Sequence, residues 1–521
     1  MHRSLTAAAL LTLACPAIAG AGDVKANPWY QAGRAAVAQA RTEVGAPARA
    51  RNVILFVGDG MGIATVTAAR IRDGQLRGQS GEENILAFET LPFTALAKTY
   101  STDFQVPDSA GTITALLAGV KTRSGVLGVD ETVARNDFAA AAAAVVPTLF
   151  EQAEDRGLWT GVVTTTRITH ATPAGAYAHT PNRNWEVDGQ VPAAARAAGF
   201  KDIARQLVEF ARGDGLEVAL GGGRAMFFPN TVADPEYPAQ RGARLDGRDL
   251  VAQWRARYPG GVYVWNRDEL LAVTAATPPR LLGLFDPSHM QYEADRASDG
   301  AGEPSLAEMT AKAIALLAPA PRGYVLLVEG GRIDHAHHAG NAYRALGDTI
   351  ELSNAVRVAL ERTAGTETLI VVTADHSHTL TLAGYPKRGN PILGLVRGSS
   401  GESPVRDAPA QDLSGRAYTT LGYANGPGYP GRSDRQPEGP KHFPHEPTSA
   451  SGVTQGRPDL TRVATDGPDF LQESTLPLGA ETHAGEDVPI YAGGPGAALF
   501  HGVREQNYVY HAIVAALGWS D

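Results

Sequence analysis

The stretch Asn52-Val53-Ile54-Leu55-Phe56-Val57-Gly58-Asp59-Gly60 sets an unbroken apolar run directly against an acid held between two glycines. A run without polar alternation reads as a strand buried on both faces, the condition of a parallel sheet covered by helices. The pattern returns at Gly161–Val163 before three threonines, Val218–Leu220 before three glycines, and Tyr324–Val328 before Glu329-Gly330-Gly331. It recurs at Leu369–Val372 before Thr373-Ala374-Asp375-His376, and at Val488–Ala492 before two glycines. Helix-like segments lie among these runs: Ala110–Leu117, Val146–Arg156, Ala194–Ala211, Pro304–Leu317 and Ala342–Arg362. The alternation predicts an α/β fold, a doubly wound, mostly parallel sheet flanked by helices. Ligands of such sheets collect at the carboxyl ends of the strands. Asp59, Glu329, Asp375 and His376 stand at those ends.

Composition narrows the function. The 521 residues include 46 basic and 55 acidic side chains, a net charge of −9, with 43% hydrophobic residues. This excludes collagen, coiled coil and long disorder, and there is no Lys/Arg cluster of the kind a nucleic-acid backbone requires. Residues 1–21 read as an export signal: Arg3, an apolar stretch from Ser4 to Ala14, and the small-x-small pattern Ala17-Ile18-Ala19. Its removal would take away Cys15, the one cysteine, leaving a mature chain without disulfides. Lipid anchoring through Cys15 fits its preceding residues poorly. The expectation is a periplasmic or secreted protein with no membrane span, its catalytic domain filling 22–521. The stretch from about 384 to 475, rich in Gly, Pro, Ser and charge, reads as a loop-rich insertion, a crown-like lobe over the site. Residues 22–50 read as an amphipathic lead-in.

Candidate chemistry rests on carboxylates and histidines. Asp334 and His338 are four apart and share one face of a helix, while Asp375 and His376 are adjacent at a strand end. With His483 and Asp59 they allow two mixed nitrogen and oxygen metal sites of the kind zinc prefers. Asp59, Thr172 and Glu329 allow an all-oxygen site suited to magnesium. Any one of these pairs alone reads more readily as a solvated or structural pair. Ser109, in Val106-Pro107-Asp108-Ser109-Ala110-Gly111-Thr112, stands where a helix begins, in a field favouring alkoxide and phosphate. The alternative is that Ser109 merely caps the helix. No Gly-x-Ser-x-Gly elbow surrounds it, so activation by a metal fits better than a Ser-His-Asp triad. Arg183, in Asn182-Arg183-Asn184-Trp185, is a candidate fork for two phosphoryl oxygens.

In order along the chain, Gly58-Asp59-Gly60-Met61-Gly62, Asp108-Ser109-Ala110-Gly111-Thr112, Thr169-His170-Ala171-Thr172-Pro173-Ala174 and Asn182-Arg183-Asn184-Trp185 resemble motifs of the alkaline phosphatase family. The resemblance continues through Glu329-Gly330-Gly331-Arg332-Ile333-Asp334-His335-Ala336-His337-His338, Thr373-Ala374-Asp375-His376-Ser377 and Glu481-Thr482-His483-Ala484-Gly485-Glu486-Asp487. It implies one zinc on Asp334, His338 and His483, a second on Asp59, Asp375 and His376 facing Ser109, and magnesium on Asp59, Thr172 and Glu329. It further implies hydrolysis of small phosphate monoesters through a phosphoserine at Ser109, with Arg183 neutralising the transferring group, in a homodimer. Asp108, His170 and His335 are implied as supporting residues around the metals and Arg183. His170 and His335 match animal-type members and similar bacterial enzymes, and imply a less tightly held magnesium. The animal-like members also carry calcium; the matching positions are Glu236, the Phe285 carbonyl, Asp286 and Glu303, with Asp and Glu exchanged at the last two. A sulfatase would need a Cys-x-Pro-x-Arg-like context, and a phosphodiesterase would use Thr and no Arg fork. A binding protein without turnover is the remaining rival.

Overall fold

The fold, taken from a computed structural model, is described for residues 23–45, 48–274, 279–398 and 407–519. The expected signal segment and Cys15 lie outside these residues, as do 399–406 of the expected insertion. A ten-stranded sheet forms the centre. Its strands are β1 (Asn52–Gly58), β2 (Phe93–Lys98), β3 (Trp159–Arg167), β4 (Val218–Gly222), β5 (Val262–Val264), β6 (Leu281–Leu284), β7 (Tyr324–Gly330) and β8 (Thr368–Ala374). Short strands β9 (Ser377–His378), β10 (Leu380–Leu382), β11 (Leu421–Gly426), β12 (Ser474–Pro477) and β13 (His483–Ala484) follow, then β14 (Val488–Gly493) and β15 (Gly502–Glu505). The sheet order is β15-β2-β14-β8-β1-β7-β3-β4-β6-β5.

The unbroken apolar runs became the central strands. β1 pairs in parallel with β7 and β8, with Leu55 opposite Leu327 and Val371. All three side chains are fully buried. The sheet is mostly parallel, as expected, and the run Val488–Ala492 supplies its exception: β14 runs antiparallel to both β8 and β2. A buried run reports that both faces are covered and says nothing of strand direction. β2, β5, β6 and β15 were not anticipated; β5 and β15 lie at the sheet edges and are only partly buried, so they lack the apolar signature.

Most predicted helices appear close to their expected bounds, as Ser109–Ala118, Leu149–Asp155, Leu306–Leu317 and Ala342–Arg362. The segment Ala194–Ala211 does not form one helix. It splits into Ala193–Ala197 and Ile203–Val208, because Gly199 takes a left-handed conformation (φ 86°) and Asp202 accepts from the Arg205 N–H to start a new helix. The lead-in forms the helix Pro28–Val44, capped by Asn27. The insertion contributes most of a three-stranded sheet, β10-β11-β12, and a separate small core of Leu395, Ala417, Leu460 and Phe470.

The alignment of β1, β7 and β8 places Gly58, Gly330 and Ala374 side by side at one end of the sheet. The residues next to them, Asp59, Glu329 and Asp375, therefore collect at one edge. Leu327→Ala, in fully buried β7, is expected to lower unfolding stability by about 2–5 kcal/mol. Urea unfolding of the metal-loaded protein checks this, and an unchanged midpoint would refute the central placement of that strand.

Candidate active site

At this edge a cleft of about 410 Å³ is lined by Ser109, Arg183, Asp334, His338 and His483, with Arg167, His170, Asn184, Glu186 and His335 around it. Asp334 and His338 lie on the helix Arg332–His338, His376 follows β8, and His483 starts β13. Segments far apart in sequence thus supply each cluster.

Histidine geometry defines the first cluster. His338 Nδ1 faces the Glu481 carbonyl oxygen at 2.5 Å, and His483 Nδ1 faces the Pro107 carbonyl oxygen at 2.8 Å. A carbonyl only accepts, so in each neutral ring Nδ1 carries the proton and Nε2 the lone pair. The two Nε2 atoms lie 3.2 Å apart, and each is 3.3 Å from Asp334 Oδ1. Two lone pairs and a carboxylate oxygen meeting in one place cannot hydrogen-bond one another. They require a cation, and the residues fit a metal ion with two imidazole ligands and one carboxylate. Burial pushes the Asp334 carboxyl up, but the neighbouring His338, His378 and His483 outweigh it and hold it well below the usual range.

The second cluster surrounds Ser109. His376 Nε2 lies 3.2 Å from Ser109 Oγ, 3.2 Å from Asp375 Oδ2 and 3.4 Å from Asp59 Oδ1. Asp375 Oδ1 accepts from the Gly60 and His376 N–H groups. Neither oxygen of Asp59 has a hydrogen-bond partner, although the side chain is fully buried. Burial raises its pKa well above the carboxylate range, and the nearby charges of Asp375, Asp334 and Glu329 raise it further.

A third set lies on the other side of Asp59. Thr172 Oγ1 and Glu329 Oε1 are buried without partners, while Glu329 Oε2 accepts from Thr164 and Thr166. Burial pushes Glu329 up to about 7 against the pull of the Thr164 hydroxyl. A ring nitrogen of His170 comes within 4.8 Å of Asp59 and Glu329 oxygens. Arg183 can only donate, so His170 Nε2, 3.0 Å from Arg183, must accept. Nδ1 then carries the proton and stands buried without a partner. His170 therefore offers this set a hydrogen-bond donor, in keeping with a supporting role.

Asp108, not Ser109, caps the helix Ser109–Ala118: its Oδ1 accepts from the Gly111 and Gly125 N–H groups. This leaves the Ser109 hydroxyl free of capping. Asp108 Oδ2 accepts from Arg183 at 3.0 Å, and the Arg183 N–H donates to the Gly125 carbonyl. Burial raises the Asp108 carboxyl, yet Arg183 and the two backbone donors bring it below its ordinary value. Arg183 is thereby held in the cleft that Ser109 also lines.

Sequence reasoning passed over His378 and Glu481. His378 Nε2 lies 2.7 Å from Asp334 Oδ1 and its Nδ1 2.5 Å from Glu481 Oε2. These carboxylates push the buried imidazole up to about 10 in the metal-free protein, against the effect of burial. The spacing His376-Ser377-His378 was the available signal, since positions two apart share a face of an extended chain. His337 is not a ligand; its nitrogens meet Thr65 and Tyr423 hydroxyls at 3.0 and 2.7 Å. His335 Nδ1 accepts from Arg332 at 3.1 Å, and its ring packs on His289, 4.1 Å between centroids.

The positions carried over for calcium form a separate group. Glu236 Oε2 is 3.0 Å from the buried Arg224, Asp286 Oδ1 accepts from Ser288 N–H and Glu303 Oε2 from Gln291 N–H. Glu236 Oε1 and Glu303 Oε1 lack partners, and so does Oδ2 of Asp299, a member that the sequence reading omitted.

Comparison with known proteins agrees with this arrangement. A family model described as alkaline phosphatase matches residues 50–519. The tissue-nonspecific alkaline phosphatase of Gallus gallus is 47% identical over 474 residues, covering 90% of this chain and 84% of the relative. The human tissue-nonspecific isozyme is 43% identical over 473 residues, covering 90% and 83%. Among solved structures, Thermus thermophilus alkaline phosphatase superposes with a TM-score of 0.63 at 27% identity, covering 92% of this chain and 94% of the other. The enzyme of the Antarctic bacterium TAB5, at 22% identity and a TM-score of 0.57 with 91% and 100% covered, shares the fold.

Glu481→Gln removes the carboxylate behind His378 and so loosens Asp334. It is expected to weaken metal retention about 10–100-fold, read by competition with a chelator; unaltered retention would show that Glu481 does not orient this cluster.

Proposed function

Because the chain belongs to the alkaline phosphatase family and is a phosphoric monoester hydrolase, we propose that it works through a phosphoserine at Ser109 and three metal ions. The observation that carries the reading is an uncapped hydroxyl at a helix start, 3.2 Å from His376 Nε2, with Arg183 fixed in the cleft by Asp108. Asp334, His338 and His483 would hold one zinc, Asp59, Asp375 and His376 a second beside Ser109, and Asp59, Thr172 and Glu329 magnesium. Imidazole with carboxylate suits zinc, and hydroxyl with carboxylates suits magnesium. When bound, these ions supply Lewis-acid stabilisation of the attacking and leaving oxygens and of the charge on phosphorus.

The chain's own groups do the rest. Arg183 grips two phosphoryl oxygens through its planar fork and aligns the phosphorus with Ser109. Ser109 Oγ gives up its proton and forms a bond to phosphorus as the bond to the ester oxygen breaks, and that oxygen leaves as the alcohol with the proton. The helix beginning at Ser109 presents free backbone N–H groups toward this charge. Water then attacks the phosphoserine, the Oγ–P bond breaks, and Ser109 regains its proton as phosphate leaves. His170, donating through Nδ1, orients the magnesium site without joining it. The set Glu236, Asp286 and Glu303, with the Phe285 carbonyl and now Asp299, supports the calcium reading through its unpartnered oxygens, although Arg224 holds one face of Glu236. Export and pairing into a homodimer complete the proposal; the basic start and apolar stretch of residues 1–21 support the former.

Ser109→Ala is expected to lower turnover of a chromogenic monoester by at least about 1000-fold, while zinc content stays unchanged. Full activity in this variant, or after exhaustive chelation, would overturn the mechanism. The pH dependence has a definite sign. Glu329 is raised to about 7, so protons compete with magnesium below that pH. Magnesium affinity should therefore rise with pH, read by calorimetric titration of the zinc-loaded enzyme, and the dependence should flatten in Glu329→Gln.

A further inference from the structure

The sheet edge opposite the cleft carries a second group of buried carboxylates. β3 and β4 begin there. Glu154, near the end of the helix Leu149–Asp155, is 3% exposed, and Glu217, just before β4, is fully buried. Together with Asp214 they bring one carboxylate oxygen each to within 4.8 Å of one another. That is the spread of ligands around one ion at bond lengths of about 2.3–2.6 Å.

Four of the six oxygens have partners, and one of the other two is buried. Glu154 Oε1 accepts from the Thr160 hydroxyl at 2.5 Å, and Glu217 Oε2 accepts from the Thr160 N–H at 2.5 Å. Arg280 bonds Glu217 Oε1 and lies 2.8 Å from Asp214 Oδ2. Glu154 Oε2 is buried with no partner. It faces the turn that carries Asp214, since a side-chain carbon on Gly213 would lie 2.5 Å from it. Burial, reinforced by the like charge of Glu217, pushes Glu154 up to about 9, and burial pushes Glu217 up to about 8. With all three carboxylates ionised, one guanidinium leaves two negative charges uncompensated, the complement of a divalent cation whose binding displaces the protons that burial favours.

We propose that Glu154, Asp214 and Glu217 form a further cation site, remote from the phosphate cleft, that takes a hard divalent ion of the calcium type. The donors are all oxygen, with neither imidazole nor thiolate, which selects calcium over zinc. Asp214, 60% exposed at the side chain, is the entrance, and water completes the shell on that side. The bound ion ties the 213–217 turn to the helix end at Glu154 and to the starts of β3 and β4, so its role is to stabilise the fold.

The test uses the zinc- and magnesium-loaded enzyme, freed of calcium, and counts bound calcium per chain by equilibrium dialysis alongside thermal unfolding. Glu154→Gln keeps the shape of the unpartnered group, and Asp214→Asn changes only an exposed member. Each is expected to bind one calcium fewer per chain than the parent and to lose part of the calcium-induced rise in unfolding midpoint, with monoester turnover unchanged. Glu303→Gln, at the separate carboxylate group, serves as the control and should retain the ion proposed here. Calcium counts and midpoints equal to the parent's in both Glu154→Gln and Asp214→Asn would overturn the site. So would a parent whose entire calcium complement disappears in Glu303→Gln, or one that binds no calcium because Glu154 and Glu217 share a proton instead.

Discussion

The site is organised around a negative charge that the protein alone does not neutralise. Asp59 lies at the end of a central strand, fully buried, with no hydrogen-bond partner for either oxygen. Asp375, Glu329 and Asp334 are buried close by and push its pKa up. Ions of like sign out of water cost several kcal/mol each unless compensated. The fold tolerates the arrangement because cations complete it. The parallel register of β1, β7 and β8 makes the crowding unavoidable, by delivering the residues at the ends of three neighbouring strands to one edge.

Backbone groups decide which imidazole nitrogens face the site. The Glu481 and Pro107 carbonyls hold the Nδ1 protons of His338 and His483, and so turn both Nε2 lone pairs toward Asp334. Arg183 does the same for His170 with the opposite result, leaving an N–H aimed at the third set. A ring that offers the cleft a lone pair and one that offers an N–H are thus distinguished by what lies behind the ring rather than by residue type. Asp108 plays a matching role for Ser109. It caps the helix itself, which frees the Ser109 hydroxyl, and it anchors Arg183 in the same act.

Much of this was legible in the chain. The apolar runs at Asn52–Val57, Tyr324–Val328 and Leu369–Val372 identified the central strands, because a strand covered on both faces has no polar alternation to obscure it. The seven motifs named the residues that the structure gathers around the cleft, Ser109 and Arg183 among them. Less legible were β5 and β15, partly exposed edge strands whose composition carries no burial signal, and the direction of β14. The break at Gly199 was visible as a glycine, but only its left-handed conformation made it a helix end. His378 and Glu481 escaped because each touches a residue of the first cluster rather than Ser109; the two-residue spacing from His376 was the one signal for His378, and Glu481 had none.

The sequence by itself determined the layered α/β class, the donor types available at the strand ends and the family to which those motifs belong. These follow from local patterns, the periodicity of burial and the chemistry of side chains. The tertiary structure decided which donors converge, which nitrogen of each ring is turned inward, that Ser109 is free because Asp108 caps, and that Glu154 and Glu217 are buried side by side at the far edge. Apart from the Asp108 cap, those outcomes depend on contacts between residues on separate elements of the fold. They are set by strand register and by backbone carbonyls, which every residue carries and no sequence pattern marks.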